Sequence, residues 1–117
     1  MDPLFQYEDH RGRLVELIGR HQVDNPIKHV YYSVTKPGET RANHHHKKKA
    51  EWVCVVEGTA DVIVGDNHFT VCGDKPVLID VPLGVWHSIK NIGDIPLRLI
   101  AIGSQPFDPD NPDTYTK

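Results

Sequence analysis

The chain has 117 residues, the usual length of a single globular domain. Its formal net charge is −3, 25% of its residues are charged and 38% are hydrophobic, so the composition predicts a soluble globular protein and argues against nucleic-acid binding, which favours a basic face. The first residues lack the pattern of a signal peptide, and no apolar run approaches the roughly 20 residues of a membrane helix, so we expect a cytoplasmic protein without membrane contact.

Strand signals dominate the chain from its start to residue 103. Short runs rich in Val, Ile, Thr and aromatic residues predict strands over 13–18, 29–34, 51–58, 59–65, 68–73, 77–82 and 97–103. The stretches HRG at 10–12 and GDN at 65–67 predict hairpin turns. Since no window of helical length keeps an apolar pattern at i, i+3, i+4 and i+7, the sequence predicts a β-sandwich or a barrel.

The sequence is interpreted as one domain, 1–117, with three parts. A strand region spans 8–20, the barrel core spans about 28–103, and an extension spans 104–117. The extension carries three prolines and three aspartates, so we expect it to run over the surface rather than to form a strand. Cys54 and Cys72 lie in apolar stretches and are interpreted as buried free thiols rather than as a disulfide.

The stretch NHHHKKKAEW contains three consecutive histidines whose side chains should not all face the same way. Strand side chains alternate between two faces, so His44 and His46 point one way and His45 the other. Glu51 opens the next strand and converges on both histidines if that strand returns beside the first. His87 follows a Pro-x-Gly turn much later in the chain. Three imidazoles and one carboxylate inside a small barrel suit a divalent metal such as Mn, Fe, Ni or Zn.

This spacing resembles the first motif of the cupin superfamily. That motif consists of a glycine, five residues, H-x-H, three or four residues, a glutamate, six residues and a second glycine. Every fixed position is matched here, by Gly38, His44, His46, Glu51 and Gly58.

The second cupin motif is present with one exception. It consists of a glycine, five residues, P-x-G, two residues, a histidine, three residues and an asparagine. The matching positions are Pro82, Gly84, His87 and Asn91, whereas Pro76 replaces the leading glycine. The resemblance covers about 31–103 and implies an all-β cupin fold, the double-stranded β-helix or small jelly-roll barrel.

The cupin resemblance also implies a ligand set and a cofactor. The four metal-ligand positions are His44, His46, Glu51 and His87. The implied cofactor is a divalent ion, Zn, Mn, Ni or Fe. A cupin that has lost its metal would carry the same residues as barrel-lining side chains, but we expect the metal because all four positions are filled.

Longer stretches narrow the resemblance to cupins that act on sugar phosphates. The segments 8–17 and 27–58 resemble TDP-4-keto-rhamnose 3,5-epimerases and TDP-4-keto-6-deoxyglucose 3,4-ketoisomerases, the latter most clearly in HVYY and HHHKKK. FDPDNPDTY at 107–115, with the filled ligand set, resembles the C-terminal cupin domains of capsule-sugar epimerases. The segments 50–62 and 81–104 resemble the cupin domains of mannose-6-phosphate isomerases and mannose-1-phosphate guanylyltransferases. The implied function is an epimerase or ketoisomerase of an NDP-4-keto-6-deoxy sugar in O-antigen or capsule synthesis.

Such a reaction removes a proton next to a ketone, so it needs a base, an acid and a group that holds the enolate oxygen. The ketoisomerase resemblance implies that His44 and His46 are the acid and base. If both bind a metal, their lone pairs are committed, and the base must be another residue such as Tyr32 or Lys48. We prefer the metal-bound interpretation but leave both open.

Four further residues are candidates for contact with the substrate. Tyr32 is the expected inward-facing phenol, with Tyr31 on the opposite side of the strand. Arg41 and Lys48 are expected to bind sugar or phosphate oxygens, since a guanidinium matches the geometry of phosphate. Trp86 is a candidate substrate contact, with simple packing as the alternative.

Other functions and an oligomeric state also follow as expectations. The alternatives are a non-catalytic module that binds a sugar phosphate or a metal, and an Fe(II) dioxygenase, whose open metal positions would take oxygen. The expected partner is a nucleotide-sugar substrate, with no nucleic acid and no membrane. We expect a homodimer in which the N-terminal strand RLVELI crosses between subunits, although a monomer would bury this segment equally well.

Overall fold

A computed structural model of the chain describes residues 3–19, 26–106, 108–110 and 112–116. Within these ranges the strands are β1 (Gln6–Asp9), β2 (Gly12–Val15), β3 (His29–Thr35), β4 (Thr40–His44), β5 (Glu51–Glu57), β6 (Thr59–Val64), β7 (Asn67–Cys72), β8 (Ile79–Val81), β9 (His87–Asn91) and β10 (Leu97–Gly103). None of the described residues belongs to a helix long and apolar enough to cross a membrane. Position 20 of the predicted strand region and positions 107, 111 and 117 of the predicted extension lie outside the described residues.

Strands β3 to β10 form two antiparallel four-stranded sheets. One sheet has the order β3-β10-β5-β8 and the other the order β4-β9-β6-β7. Early and late strands interleave, because β10 lies between β3 and β5 while β9 lies between β4 and β6. This order is that of a double-stranded β-helix, and the all-β prediction is confirmed.

The inner faces of the two sheets enclose the main core. Side chains alternate between the two faces of each strand, so every second residue points inward. The inward-facing aliphatic residues form one cluster, which includes Val53, Val55, Val62, Ile79, Ile89, Leu97 and Leu99. The polar site described below lies at one end of this cluster.

A second apolar cluster lies on the outer face of the β3-β10-β5-β8 sheet. Trp52, Cys54 and Ile102 pack there against Leu4, with the partly buried Val15 beside them. Strand β5 is therefore covered on both faces, which explains why its sequence is apolar almost throughout. Both cysteines of the chain are free, as expected; Cys54 is buried and Cys72 is partly buried.

A β-bulge in β4 sets the direction of the first site histidine. The register between β4 and β9 shifts between Ala42 and His44, and His44 then lies directly opposite His87. Ala42 and Asn43 have φ angles of 66° and 61°, in the left-handed region that side chains other than glycine rarely adopt. Since a bulge inserts one extra residue and re-aims the next side chain, this irregularity places the two imidazoles together.

Candidate active site at the end of the barrel

Three histidines and one glutamate meet at one end of the barrel. His44 ends β4, Glu51 begins β5, His87 begins β9, and His46 lies in the loop between β4 and β5. One ligand atom from each residue can be chosen so that all four atoms lie within 4.8 Å of one another. The ring centroid of His44 is 4.5 Å from that of His46 and 4.8 Å from that of His87. The four residues named as metal ligands from the sequence are therefore neighbours.

Glu51 is the centre of the hydrogen bonding in this cluster. Its carboxylate is buried, with an exposed fraction of 3%. Oε1 lies 2.8 Å from Nε2 of His46, and Oε2 accepts a hydrogen bond of 3.1 Å from the hydroxyl of Tyr31. The ammonium group of Lys49 lies 3.8 Å from Oε2. A buried carboxylate is tolerated only with partners of this kind, because burial removes its hydration.

The pKa values of the cluster separate its members into charged and neutral groups. Burial alone would raise the pKa of Glu51, but the hydrogen bond from His46 and the charge of Lys49 outweigh it and lower that pKa to about 2. Burial likewise opposes protonation of His46, yet its hydrogen bonds to Glu51 and to the Asp113 carbonyl raise its pKa. Burial lowers the pKa of His87 and, with the neighbouring histidines, brings that of His44 to about 4.

These shifts determine which atoms are available for chemistry at neutral pH. Glu51 is ionised, and His44 and His87 are neutral with a free lone pair on each ring. Neutral imidazoles and a carboxylate are the forms that bind a divalent metal, and a set of three nitrogens and one oxygen fits Zn, Mn, Fe or Ni. The same neutral imidazoles are also the forms that accept a proton.

A cavity of about 410 Å³ opens over the cluster. His44, Glu51 and His87 form part of its wall, together with Tyr31 and Arg41. Its apolar wall is made of side chains from the main core, Val53, Ile89 and Leu99. An apolar cavity with a few convergent polar groups is the usual form of a small-molecule site.

The prediction that Tyr32 is the inward-facing phenol is wrong, because Tyr31 takes that place. Tyr31 pairs across to Ala101, a buried residue of the main core, whereas Tyr32 pairs with Ile100, which packs against the outer cluster. Tyr32 borders the cavity, but its hydroxyl accepts a short hydrogen bond from Arg98. The register between β3 and β10 therefore selects Tyr31 as the partner of Glu51.

The predicted substrate contacts are distributed unevenly around the cavity. Arg41 lies in its wall and donates hydrogen bonds to the Thr35 hydroxyl and to a main-chain carbonyl of β3. Lys48 is exposed and borders a separate pocket beside the chain's last residues. Trp86 is not in the wall of the main cavity; its carbonyl accepts a hydrogen bond from the amide of Gly65, in the turn after β6.

Two residues beside the cluster, Lys49 and His29, were not predicted from the sequence. Lys49 is almost fully buried and reaches Glu51, and His29 lies with its ring centroid 5.1 Å from that of Tyr31. Both line a second opening that also reaches His44 and His46. For His29 the signal was the two-residue period of a strand, because His29 precedes Tyr31 by two positions in β3. Lys49 precedes Glu51 by two positions but lies in the loop before β5 begins.

The last described residues of the chain cross the histidine loop. His45 and Tyr115 exchange two main-chain hydrogen bonds of 2.9 and 3.0 Å, and their rings stack at 5.4 Å. Asp113 contacts the same loop, through its carboxylate and through its main-chain carbonyl. His45 thus faces away from the cluster, as the alternation predicted, and the extension forms part of the surroundings of the site.

Fold and site together define a class of protein, a small double-stranded β-helix with a cluster of three histidines and a glutamate inside the barrel. Residues 7–115 match the family model described as "Polysaccharide biosynthesis C-terminal domain". Since the match covers nearly the whole chain, the protein belongs to this family.

Two proteins of related sequence carry names from polysaccharide synthesis. The chain is 30% identical over 122 residues to the probable low-salt glycan biosynthesis epimerase Agl13 of Haloferax volcanii, an alignment that covers 90% of this chain and 76% of Agl13. The crystal structure of the capsular polysaccharide assembling protein CapF from Staphylococcus aureus is 33% identical with a TM-score of 0.72. That match covers 97% of this chain but 34% of CapF, so the chain spans about a third of CapF.

A more distant structure establishes the fold. The dTDP-6-deoxy-D-glucose-3,5-epimerase RmlC from Legionella pneumophila, solved with dTDP-4-keto-L-rhamnose, has a TM-score of 0.82 at 16% identity. The match covers 93% of this chain and 68% of RmlC. The predicted cupin double-stranded β-helix and the resemblance to nucleotide-sugar cupins are therefore confirmed.

The pKa of His44 leads to a prediction about acid stability. The unfolded chain protonates His44 near pH 6.5, whereas the folded protein does so only near pH 4. Between these values the unfolded state binds more protons, so the free energy of unfolding of the metal-free protein should fall as the pH is lowered. His44→Gln should flatten the profile in this window, measured by urea unfolding between pH 4 and pH 8 in the presence of a chelator. His45→Gln serves as the control, and a His44→Gln profile identical to wild type would contradict the assignment.

Proposed function

We propose that this protein is an epimerase or ketoisomerase that acts on an NDP-4-keto-6-deoxy sugar in the synthesis of a surface polysaccharide. The observation that carries the proposal is the polar end of the barrel cavity, where Tyr31, His44, Glu51 and His87 face one space. The names of the relatives support the reaction class, since Agl13 is described as a probable glycan-synthesis epimerase and RmlC as a 3,5-epimerase holding a dTDP-4-keto sugar.

The chemistry of a 4-keto sugar matches the groups in the cavity. A ketone at C4 acidifies the protons on C3 and C5, because their removal gives an enolate. Burial, with the nearby charge of Glu51, raises the pKa of Tyr31, so the phenol keeps its proton at neutral pH and serves as an acid. Arg41, at the cavity wall, is suited to a phosphate oxygen of the nucleotide.

We further propose that His44, His46, Glu51 and His87 hold a divalent metal, Zn, Mn, Ni or Fe. The support is the donor set and the mutual distances of its atoms. A bound ion supplies a Lewis acid for an enolate oxygen. The histidine lone pairs are then committed, so proton transfer falls to Tyr31 and to Lys49, which lies beside the same carboxylate. In a metal-free protein, His44 is the natural base.

Hydrogen exchange tests the reaction class. The protein is incubated in D2O with NDP-4-keto-6-deoxyglucoses that carry different nucleotides, and deuterium at C3 and C5 is followed by NMR. We expect deuterium at a ring carbon, and the labelled position distinguishes epimerisation from ketoisomerisation. Tyr31→Phe should slow exchange by roughly 10²-fold or more, as expected on loss of a general acid, whereas Tyr32→Phe should exchange at the wild-type rate. No exchange with any sugar would instead support a non-catalytic binding module.

Metal binding is tested on Glu51. Glu51→Gln removes the negative charge of the ligand set, so its affinity for Zn²⁺ should fall by more than about tenfold. The measurement is competition between the protein and a chelating dye. Glu57→Gln is the matched control, because Glu57 lies at the other end of β5, is exposed, and pairs with Arg98. Equal Zn²⁺ affinities for Glu51→Gln and wild type would contradict the metal proposal.

We also propose that two copies of the chain form a homodimer through β3 and the β1–β2 hairpin. Strand β3 lies at the end of its sheet and exposes Val30, Tyr32 and Val34. The hairpin forms a two-stranded sheet of its own and exposes Tyr7 and Leu14. An open sheet edge invites pairing with another chain.

The dimer is tested by charge substitution. Val30 and Leu14 have exposed fractions of 61% and 62%, so Val30→Glu and Leu14→Glu should leave the barrel folded and shift the protein to a monomer. Sedimentation velocity gives the oligomeric state, and Leu83→Glu, at an exposed turn position outside β3 and the hairpin, is the control. A monomeric wild-type protein, or dimeric variants, would overturn the proposal.

A further inference from the structure

We propose that Asp113 is a positioning residue for the active site, which fixes the loop that carries His46 and determines which nitrogen of that ring faces Glu51. Asp113 is not one of the four candidate ligands, and its hydrogen bonds go to the histidine loop rather than to Glu51. The inference rests on the proposed function only in taking His46 to be a ligand or an acid–base residue of the site.

The carboxylate of Asp113 holds the main chain of the loop between β4 and β5. Oδ1 accepts a hydrogen bond of 3.0 Å from the amide of Lys47, and Oδ2 accepts bonds of 2.7 and 3.0 Å from the amides of Lys48 and Lys49. These three consecutive donors form a concave anion site of the kind that successive main-chain amides make in turns. Their hydrogen bonds hold the pKa of Asp113 below its usual value, against the opposing effect of burial.

The main-chain carbonyl of Asp113 acts on the His46 ring. Its oxygen lies 2.5 Å from Nδ1 of His46. A carbonyl oxygen only accepts hydrogen bonds, so Nδ1 must carry the hydrogen. Nε2 is then the nitrogen directed at Oε1 of Glu51, at 2.8 Å, where it donates a hydrogen bond to the carboxylate. When Nε2 loses that proton, it is the ring nitrogen that would bind a metal. The side chain and the carbonyl of one residue therefore control the position of His46 and the orientation of its ring.

The segment that carries Asp113 is also attached to the histidine loop through Tyr115, so loss of the Asp113 carboxylate need not detach the segment. The main-chain amide and carbonyl of Tyr115 both form hydrogen bonds with the main chain of His45. The ammonium group of Lys47 lies 4.2 Å from the centre of the Tyr115 ring. These contacts do not involve the Asp113 side chain. Loss of the Asp113 carboxylate should thus loosen the loop around His46 while the segment stays on the protein.

The experiment compares Asp113→Ala and Asp113→Asn with Asp110→Ala and wild type. Asp110 is the matched control, since it is an exposed aspartate of the same extension whose main-chain amide bonds to Asp108. Two quantities are measured: the ¹⁵N shifts of the His46 ring in the metal-free protein, and the affinity for Zn²⁺ by chelator competition. Thermal unfolding establishes that each variant is folded.

We expect His46 Nδ1 to carry hydrogen in wild type and in Asp110→Ala, and to lose this fixed state in Asp113→Ala. The Zn²⁺ affinity of Asp113→Ala should fall by about 10–100-fold, the usual cost of removing a group that orients a metal ligand. Asp113→Asn keeps one acceptor oxygen and should be intermediate; it also carries the comparison if the alanine variant does not fold.

Two outcomes separate this inference from the proposed function. If wild type does not bind Zn²⁺, the metal proposal fails, and the His46 shifts alone decide the role of Asp113. If a folded Asp113 variant keeps both the wild-type His46 shifts and the wild-type Zn²⁺ affinity, the positioning role is overturned.

Discussion

A carboxylate buried in a barrel must be surrounded by positive charge or hydrogen-bond donors, and Glu51 imposes this constraint on the whole site. Its two carboxylate oxygens have different neighbours. One faces His46 and lies 3.7 Å from His87, while the other takes Tyr31 and lies near Lys49. Because donors from β3 and the β4–β5 loop turn toward one anion, and His87 of β9 lies beside it, elements distant in sequence are held at the same end of the barrel.

The barrel supplies the geometry that this arrangement needs. His44, Glu51 and His87 lie at strand ends, where an apolar interior gives way to polar side chains. The bulge before His44 brings it opposite His87, at the cost of two residues in the left-handed region. Such local strain is tolerated when the surrounding sheet fixes the chain on both sides, and it is often found at functional sites.

The sequence predicted the apolar strands well, because residues that favour strands and residues that fill the core are largely the same types, Val, Ile and aromatic residues. Its strand runs did not include β1, β4 or β9, since QYED, TRANH and HSIKN are polar, the first in an exposed hairpin and the other two at the site. The four clustered residues followed from motif spacing. The choice between Tyr31 and Tyr32 did not, because alternation alone allows two phases and the pairing of Tyr31 with Ala101 selects one.

The contacts between Asp113 and the histidine loop could not be predicted from the sequence. Asp113 lies 67 residues from His46 along the chain, and an aspartate among prolines is typical of any exposed turn. Only the folded chain brings its carboxylate to three amides and its carbonyl to an imidazole. The site is therefore built from residues of two sequence motifs and a third, distant segment that supports the loop of the first.

Anomalous diffraction from crystals grown with Zn²⁺, recorded at the zinc edge, tests most directly whether Glu51 and the three histidines form one cation site. We expect a single strong peak inside the barrel, about 2.0–2.2 Å from a nitrogen or oxygen of His44, His46, Glu51 and His87. A peak elsewhere, or none while His46 stays hydrogen-bonded to Glu51, would contradict the idea that the buried carboxylate organises a metal site.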